Sequence, residues 1–260
     1  MNNFQTIESY CKKYRKEINI INYNDNGMGD VVNKMSYLYN ISSKHEKKTT
    51  VRWYYNDFDY NKVINSELFF RPCKYVTNIK MPEIERAWDF NKYTLYNHEY
   101  WSPRNLKTNN KTKNIAVNIY TFFHPSRSML NKFKISSESF REMLYETILE
   151  NNFKIVDMFH LDNKRGSKHV LTDYRDLMTV NIKLLQNVDA FIGIEGNISH
   201  LCRAMKIPSL LLYNLINSLD VNNNVLKNVV RPYIDSNLQK LVNSENELLK
   251  EIPSFLKKIS

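Results

Sequence analysis

From Ile115 to Tyr213 short apolar runs alternate with stretches of helical periodicity, and this alternation restricts the fold more than any other feature of the chain. Ile115-Ala116-Val117-Asn118-Ile119-Tyr120 reads as a buried strand, followed by a loop containing His124, Pro125, Ser126 and Arg127. Ser136 suits an N-cap and Glu138 a first turn for a helix in which Phe140, Met143, Leu144, Thr147 and Ile148 recur at helical spacing. Phe153 to Phe159 returns as a strand. Thr172 and Asp173 open a further helix, whose Leu177, Met178, Ile182, Leu185 and Val188 form one apolar stripe. Ala190 to Ile194 is the next strand, Ile198 to Lys206 a short helix, and Pro208 introduces the strand Ser209 to Tyr213. Strands separated by helices in this order predict an α/β fold with a parallel sheet and right-handed crossovers.

The first half repeats the plan less cleanly. Ile18 to Tyr23 reads as a strand, a turn with Gly27 and Gly29 follows, Val31, Met35, Leu38 and Tyr39 line a helix, and Val51 to Tyr55 is strand-like. Residues 56–100 are aromatic and mixed, with no assignable period. Trp101-Ser102-Pro103 and the polar stretch 105–114 form the candidate linker. The tail, Ser236 to Lys258, reads as a helix able to pack back on the first half.

At 260 residues the chain suits one large or two small α/β domains. No apolar run approaches the ~20 residues needed to cross a bilayer. The segment Cys11-Lys12-Lys13-Tyr14-Arg15-Lys16 stands where a signal peptide would be apolar, so the expected compartment is the cytoplasm. Cys11, Cys73 and Cys202 have neither metal-type nor redox-type spacing and are expected to be reduced structural thiols. The 37 basic against 27 acidic residues give +10, an excess that suits a polyanion such as nucleic acid or peripheral contact with an anionic membrane. A solvated basic surface is the commoner explanation, in a chain rich in Asn, Lys, Ile and Tyr with 5 Gly.

Two stretches carry the chemistry: Asn26-Gly27-Met28-Gly29-Asp30-Val31-Val32 and Phe191-Ile192-Gly193-Ile194-Glu195-Gly196-Asn197-Ile198-Ser199-His200-Leu201. Each follows an apolar run and opens a helical pattern. A strand that stops at a small-residue turn and restarts as a helix directs backbone N–H groups at one spot, which suits an anion such as phosphate. The first turn adds a lone carboxylate, Asp30, and the second adds Ser199 and His200. Asp30 also reads as a first-turn acid complementing the helix dipole, and His200 as a packed histidine. Gly27-Met28-Gly29 begins a dinucleotide fingerprint, but Val32 stands where the third glycine belongs, which argues against a nicotinamide cofactor. Trp53-Tyr54-Tyr55, Trp88 and Trp101 read as core rather than sugar platforms. Asp57-Phe58-Asp59 is the nearest approach to a metal-binding pair and reads as a solvated loop.

The run Met28-Gly29-Asp30-Val31-Val32 resembles the N-terminal signature of the bacterial heptosyltransferase family, GT-B glycosyltransferases with two Rossmann-like domains and a cleft between them. Phe191 to Leu201, then Ala204-Met205, Pro208 and Tyr213, is similar to the family's donor-binding run. The resemblance implies Asp30 as the base, and Gly29, Glu195, Gly196, Asn197, Ser199 and His200 around the sugar-nucleotide diphosphate. In the region of the family's middle signature this chain has Phe123-His124-Pro125-Ser126-Arg127 and Lys132-Phe133-Lys134, so His124, Arg127 and Lys132 are candidates for holding phosphate. It also implies an acceptor domain over residues 1–105, a nucleotide-sugar domain over 106–235, and a C-terminal helix over 236–260.

Sugar transfer from a nucleoside diphosphate passes through an oxocarbenium-like carbon, which an acceptor hydroxyl attacks as the charged diphosphate leaves. A carboxylate must take the hydroxyl proton, and an electropositive cradle must meet the diphosphate. The expected activity is an inverting, metal-independent glycosyltransferase with no cofactor beyond its nucleoside-diphosphate-sugar donor. The expected acceptor is a surface glycan, with hydroxymethylated bases in duplex DNA as the alternative. A non-catalytic nucleotide-sugar or NAD-binding module is the remaining reading.

Overall fold

Every described strand pairing outside the isolated β-bridge at Phe70 is parallel, the arrangement that the strand-helix alternation demands. The computed structural model describes residues 12, 18–23, 28–54, 67, 69–81, 88–89, 100–102, 111–119, 138–161, 170–171, 174–212 and 237–260. The chain divides into two units, Met1–Arg104 and Asn105–Ser260.

In the first unit β1 (Ile18–Tyr23), β2 (Thr49–Tyr54), β3 (Val76–Met81) and β4 (Trp88–Asp89) form one sheet in the order β3-β2-β1-β4. The chain builds outward from β1 through β2 to β3, then returns to the other side of β1. Strands β3 and β4 come from the stretch without a legible period, because each takes its conformation from a neighbour already in the sheet. Helix α1 (Met28–His45) connects β1 to β2. Its periodicity predicts one apolar face, yet every residue from 31 to 39 is buried. Three of the buried hydroxyls on or beside this helix have partners. Ser36 Oγ accepts from the Trp101 N–H, and the Ser42 and Thr49 hydroxyls meet at 2.7 Å.

Trp101, expected to begin the linker, is clamped to the first unit instead. Its indole N–H donates to the Arg71 carbonyl at 2.6 Å, its ring packs edge-on to Tyr39 at 6.0 Å, and the Arg71 guanidinium lies 5.0 Å from its centroid. Trp53 is a core residue as its pattern suggests, fully buried with its indole N–H on Asn78 Oδ1 at 2.7 Å.

The second unit is built on β5 (Asn114–Asn118), β6 (Lys154–Asp157), β9 (Ala190–Ile194), β10 (Ser209–Leu212) and β11 (Gln239–Val242), in the order β11-β10-β9-β5-β6. Two short strands, β7 (His160–Leu161) and β8 (Val170–Leu171), pair separately. Four described helices belong to this unit: α2 (Glu138–Glu150), α3 (Tyr174–Leu185), α4 (Asn197–Ala204) and α5 (Glu245–Ile259). One sheet face carries Ile115, Val117, Ile119, Ala190, Ile192, Ile194, Leu210, Leu212 and Val242. These pack with Phe140, Leu144 and Ile148 of α2 and Leu248, Ile252 and Leu256 of α5 in one core. Alternation along each strand turns Ala116, Asn118, Phe191, Gly193 and Leu211 to the other face, where α4 lies against β9 and β10.

Two features depart from the sequence reading of the tail. Residues 239–242 are a strand rather than the start of a helix, with Gln239 and Val242 buried and Lys240 exposed. Ser244 then starts α5, its side chain accepting from the Glu247 N–H at 3.2 Å while Glu247 Oε2 accepts from the Asn243 N–H at 2.8 Å. Where the pattern over 236–260 leaves this helix able to reach the first half, its buried face lies on the core of the second unit. The polar stretch ahead of β5 is likewise anchored there. Asp189 Oδ2 accepts the Thr112 and Lys113 N–H groups at 3.0 and 2.6 Å.

Candidate functional site

The strand order of the second unit reverses beside β5, since β6 lies on one side of it and β9, β10 and β11 lie on the other. At such a switch point the loops leaving adjacent parallel strands run in opposite directions and open a crevice at the carboxyl ends. The carboxyl end of β5 is Asn118, which pairs with Gly193 of β9. Beyond β9 the chain makes the turn Glu195-Gly196 and enters α4 at Asn197.

Gly193 is required by space. A Cβ there would run into the Asn118 carbonyl and come within 2.6 Å of Phe191 Cζ. Gly196 differs, because a Cβ there would meet nothing within 4 Å, so the turn presents open space at its surface. The turn is held by its own side chains. Ser199 Oγ accepts from the Gly196 N–H at 3.1 Å and donates to the Gly196 carbonyl at 2.7 Å. Asn197 Oδ1 accepts from the Ile198 N–H at 2.8 Å. From the sheet, Gln239 Nε2 donates to the Ser199 carbonyl at 2.8 Å.

Ser199 is fully buried, and its hydroxyl serves the turn. Two amides counted on for an anion are thus already engaged by side chains, because a Ser and an Asn at a helix start satisfy nearby N–H groups more readily than a distant ligand does. The positive end of the α4 dipole remains, together with the side chains of His200 and Arg203 on the helix. His200 is 5% exposed, and its Nε2 lies 3.6 Å from Glu195 Oε1, so the two form an ion pair when the imidazole is protonated. Arg203, one turn further on, is 7% exposed. The only local signal for Arg203 is its spacing from His200, which places both on one side of α4.

The structure thus brings Glu195, Gly196, Asn197, Ser199 and His200 together. In the first unit Gly29 is buried and Asp30 lies in the first turn of α1, with its side chain outside the described residues. His124, Arg127 and Lys132 also lie outside the described residues, as do Asp57 and Asp59. Among the described residues no three His, Cys, Asp or Glu side chains gather in a metal-binding group. No described helix is long and apolar enough to cross a membrane.

No protein-family model matches the chain, and neither does any curated protein. Solved structures do match. The dodecameric iron-containing heptosyltransferase TibC in complex with ADP-D-beta-D-heptose aligns with 76% of this chain at 10% identity and a TM-score of 0.53. The fold resembles that of the heptosyltransferases. The aligned part spans 58% of that TibC chain, so this chain covers less than two thirds of it. TibC from enterotoxigenic E. coli aligns with 94% of this chain and 77% of its own, at 9% identity and a TM-score of 0.57. E. coli heptosyltransferase WaaC with ADP aligns over 94% of this chain and 100% of its own, at 11% identity and a TM-score of 0.50. At such identities the likeness is one of fold: a heptosyltransferase-like α/β chain of parallel sheets.

Proposed function

We propose that the chain is a GT-B-like glycosyltransferase that moves a sugar from a nucleoside diphosphate to an acceptor hydroxyl. The observation that carries this reading is the Glu195-Gly196-Asn197 turn and the His200 beside it, set at the carboxyl end of β9 next to the strand-order reversal. The solved proteins of similar fold support it, since one is bound to ADP-D-beta-D-heptose and another to ADP.

In this reading the diphosphate lies over the open surface at Gly196, where no side chain stands between it and the N-terminal end of α4. His200 carries the donor's charge and the further charge that develops as the anomeric carbon–oxygen bond breaks. Glu195, 3.6 Å from its Nε2, orients the imidazole. Ser199 acts at one remove by fixing the turn, and Gln239 fixes Ser199.

Asp30 is the proposed base. It takes the proton of the acceptor hydroxyl as that oxygen attacks the anomeric carbon and the nucleoside diphosphate departs with the bonding pair. A single displacement of this kind inverts the anomeric centre, and in this reading it proceeds without a metal. His124, Arg127 and Lys132 are the proposed further partners of the phosphates. The proposed acceptor is a hydroxyl of a surface glycan.

The test is a thermal-shift screen of the purified chain against a panel of nucleoside diphosphate sugars, followed by transfer assays with those that bind. A donor present at 100 times its Kd should stabilise the fold by about 2.7 kcal/mol. Failure of every nucleoside diphosphate and its sugar to shift the melt would overturn the reading.

A further inference from the structure

Asn118 is 9% exposed, and its Oδ1 is buried with no hydrogen-bond partner among the described residues. A buried acceptor left unmade costs free energy, and an apolar residue at this position would avoid that cost. The strand otherwise supplies apolar residues, with Ile115, Ala116, Val117 and Ile119 all buried around it. The fold therefore gains nothing visible from this carboxamide.

Its position suggests what does gain. Val117 and Ile119 belong to the core beneath α2 and α5, so strand alternation turns Asn118 to the opposite face, the face of α4. Gly193, its partner in register, has no side chain to cover it. Glu195 continues the alternation of β9 on that same face, its N–H still bonded to the Leu212 carbonyl at 3.2 Å, and it carries His200 with it. Asn118 and the Glu195–His200 pair thus flank the strand-order reversal from its two sides.

We propose that Asn118 is a donor-binding residue, whose carboxamide oxygen accepts a hydrogen bond from a hydroxyl of the bound nucleotide sugar. The inference rests on the donor reading above and adds a contact from β5. The unmade group is an acceptor, and phosphate oxygens are acceptors too, so the complement must be a donor. Two parts of a nucleotide sugar offer hydroxyls, the ribose and the transferred sugar. Either satisfies Oδ1 at the moment of binding.

The experiment compares the unsubstituted chain with Asn118→Ala and Asn118→Leu, the second retaining the branched shape without the polar atoms. Affinities are measured by calorimetry for ADP-D-beta-D-heptose and for ADP, or for another nucleoside diphosphate sugar and its free diphosphate where the panel finds a different donor. Melting temperatures of the unliganded proteins are recorded alongside. Both variants should melt at or above the parental temperature, because each removes an unsatisfied buried acceptor. If the transferred sugar supplies the hydroxyl, both variants should bind the nucleotide sugar about tenfold more weakly while the free diphosphate is unaffected. If the ribose supplies it, both ligands should weaken together. Unchanged affinity for both ligands in either folded variant would overturn the inference while leaving the donor reading intact. An unsubstituted chain that binds no nucleotide sugar would overturn both, and it is told apart because it appears before any substitution is made.

Discussion

His200 Nε2 lies 3.6 Å from Glu195 Oε1, and the two side chains are withdrawn from water to 6% and 15% exposure. Screening is weak there, so removing one partner leaves the other with an uncompensated charge beside the proposed diphosphate. His200→Ala should weaken donor binding about tenfold or more and slow departure of the diphosphate. Adding Glu195→Gln should restore part of that loss, with a coupling of roughly 0.5–3 kcal/mol between the two sites. Calorimetry on the four proteins measures the cycle, and strict additivity would show that the pair does not act as a unit. Chelators should have no effect on turnover. Restoration of an EDTA-stripped enzyme by Mg²⁺ or Mn²⁺ would replace the metal-free mechanism and bring Asp57 and Asp59 back into consideration.

Asp30→Asn should keep the fold and the donor affinity while kcat falls at least about a hundredfold, because the variant loses only its ability to take a proton. The measurement is steady-state kinetics with parallel donor titration. Transfer at near-parental rate would reduce Asp30 to an acid at a helix start.

Gly193 and Gly196 separate stability from binding. Gly193→Ala forces a methyl group into the Asn118 carbonyl and to within 2.6 Å of Phe191 Cζ, and the backbone can yield little. A loss of about 3 kcal/mol is expected, or roughly 6–12 °C in melting temperature for a chain of this size. Gly196→Ala meets nothing within 4 Å, and its φ of 164° is extended backbone open to any residue. It should melt like the parent and bind donor more weakly, since the added methyl stands where the diphosphate is proposed to lie. Equal melting of the two variants would refute the assignment of Gly193 to packing.

The net charge of +10 makes the acceptor testable with salt. A glycan acceptor without charge predicts almost no salt dependence. A duplex with hydroxymethylated bases predicts that Lys and Arg neutralise phosphates, so binding should fall by about 10³ or more between 50 and 200 mM salt for six or more contacts. Fluorescence anisotropy with duplex DNA across that range distinguishes them. Undetectable binding at low salt disposes of the DNA alternative, whereas tight, salt-steep binding with transfer to the bases disposes of the glycan.

Much of the second unit is legible in the chain because its signals are local. Apolar runs bounded by turns mark β5, β9 and β10, and the spacing of Phe140, Leu144 and Ile148 marks α2, since each element there carries its own period. The turn at Glu195-Gly196-Asn197 is legible for the same reason, small and polar residues between a strand and a helix. Strand β11 is not, because four residues carry no period and become a strand only by pairing with β10. Nor is the all-round burial of α1, which Trp101 helps complete from a segment that reads as linker. Ser199 reads in the sequence as a ligand contact, but its hydroxyl is captured by Gly196, a competition that only the geometry of the turn can decide. The approach of Asn118 to Glu195 and His200 is likewise a product of strand order. Nothing local brings the end of β5 beside the end of β9, and the sheet does so because the chain crosses over β5 after β6.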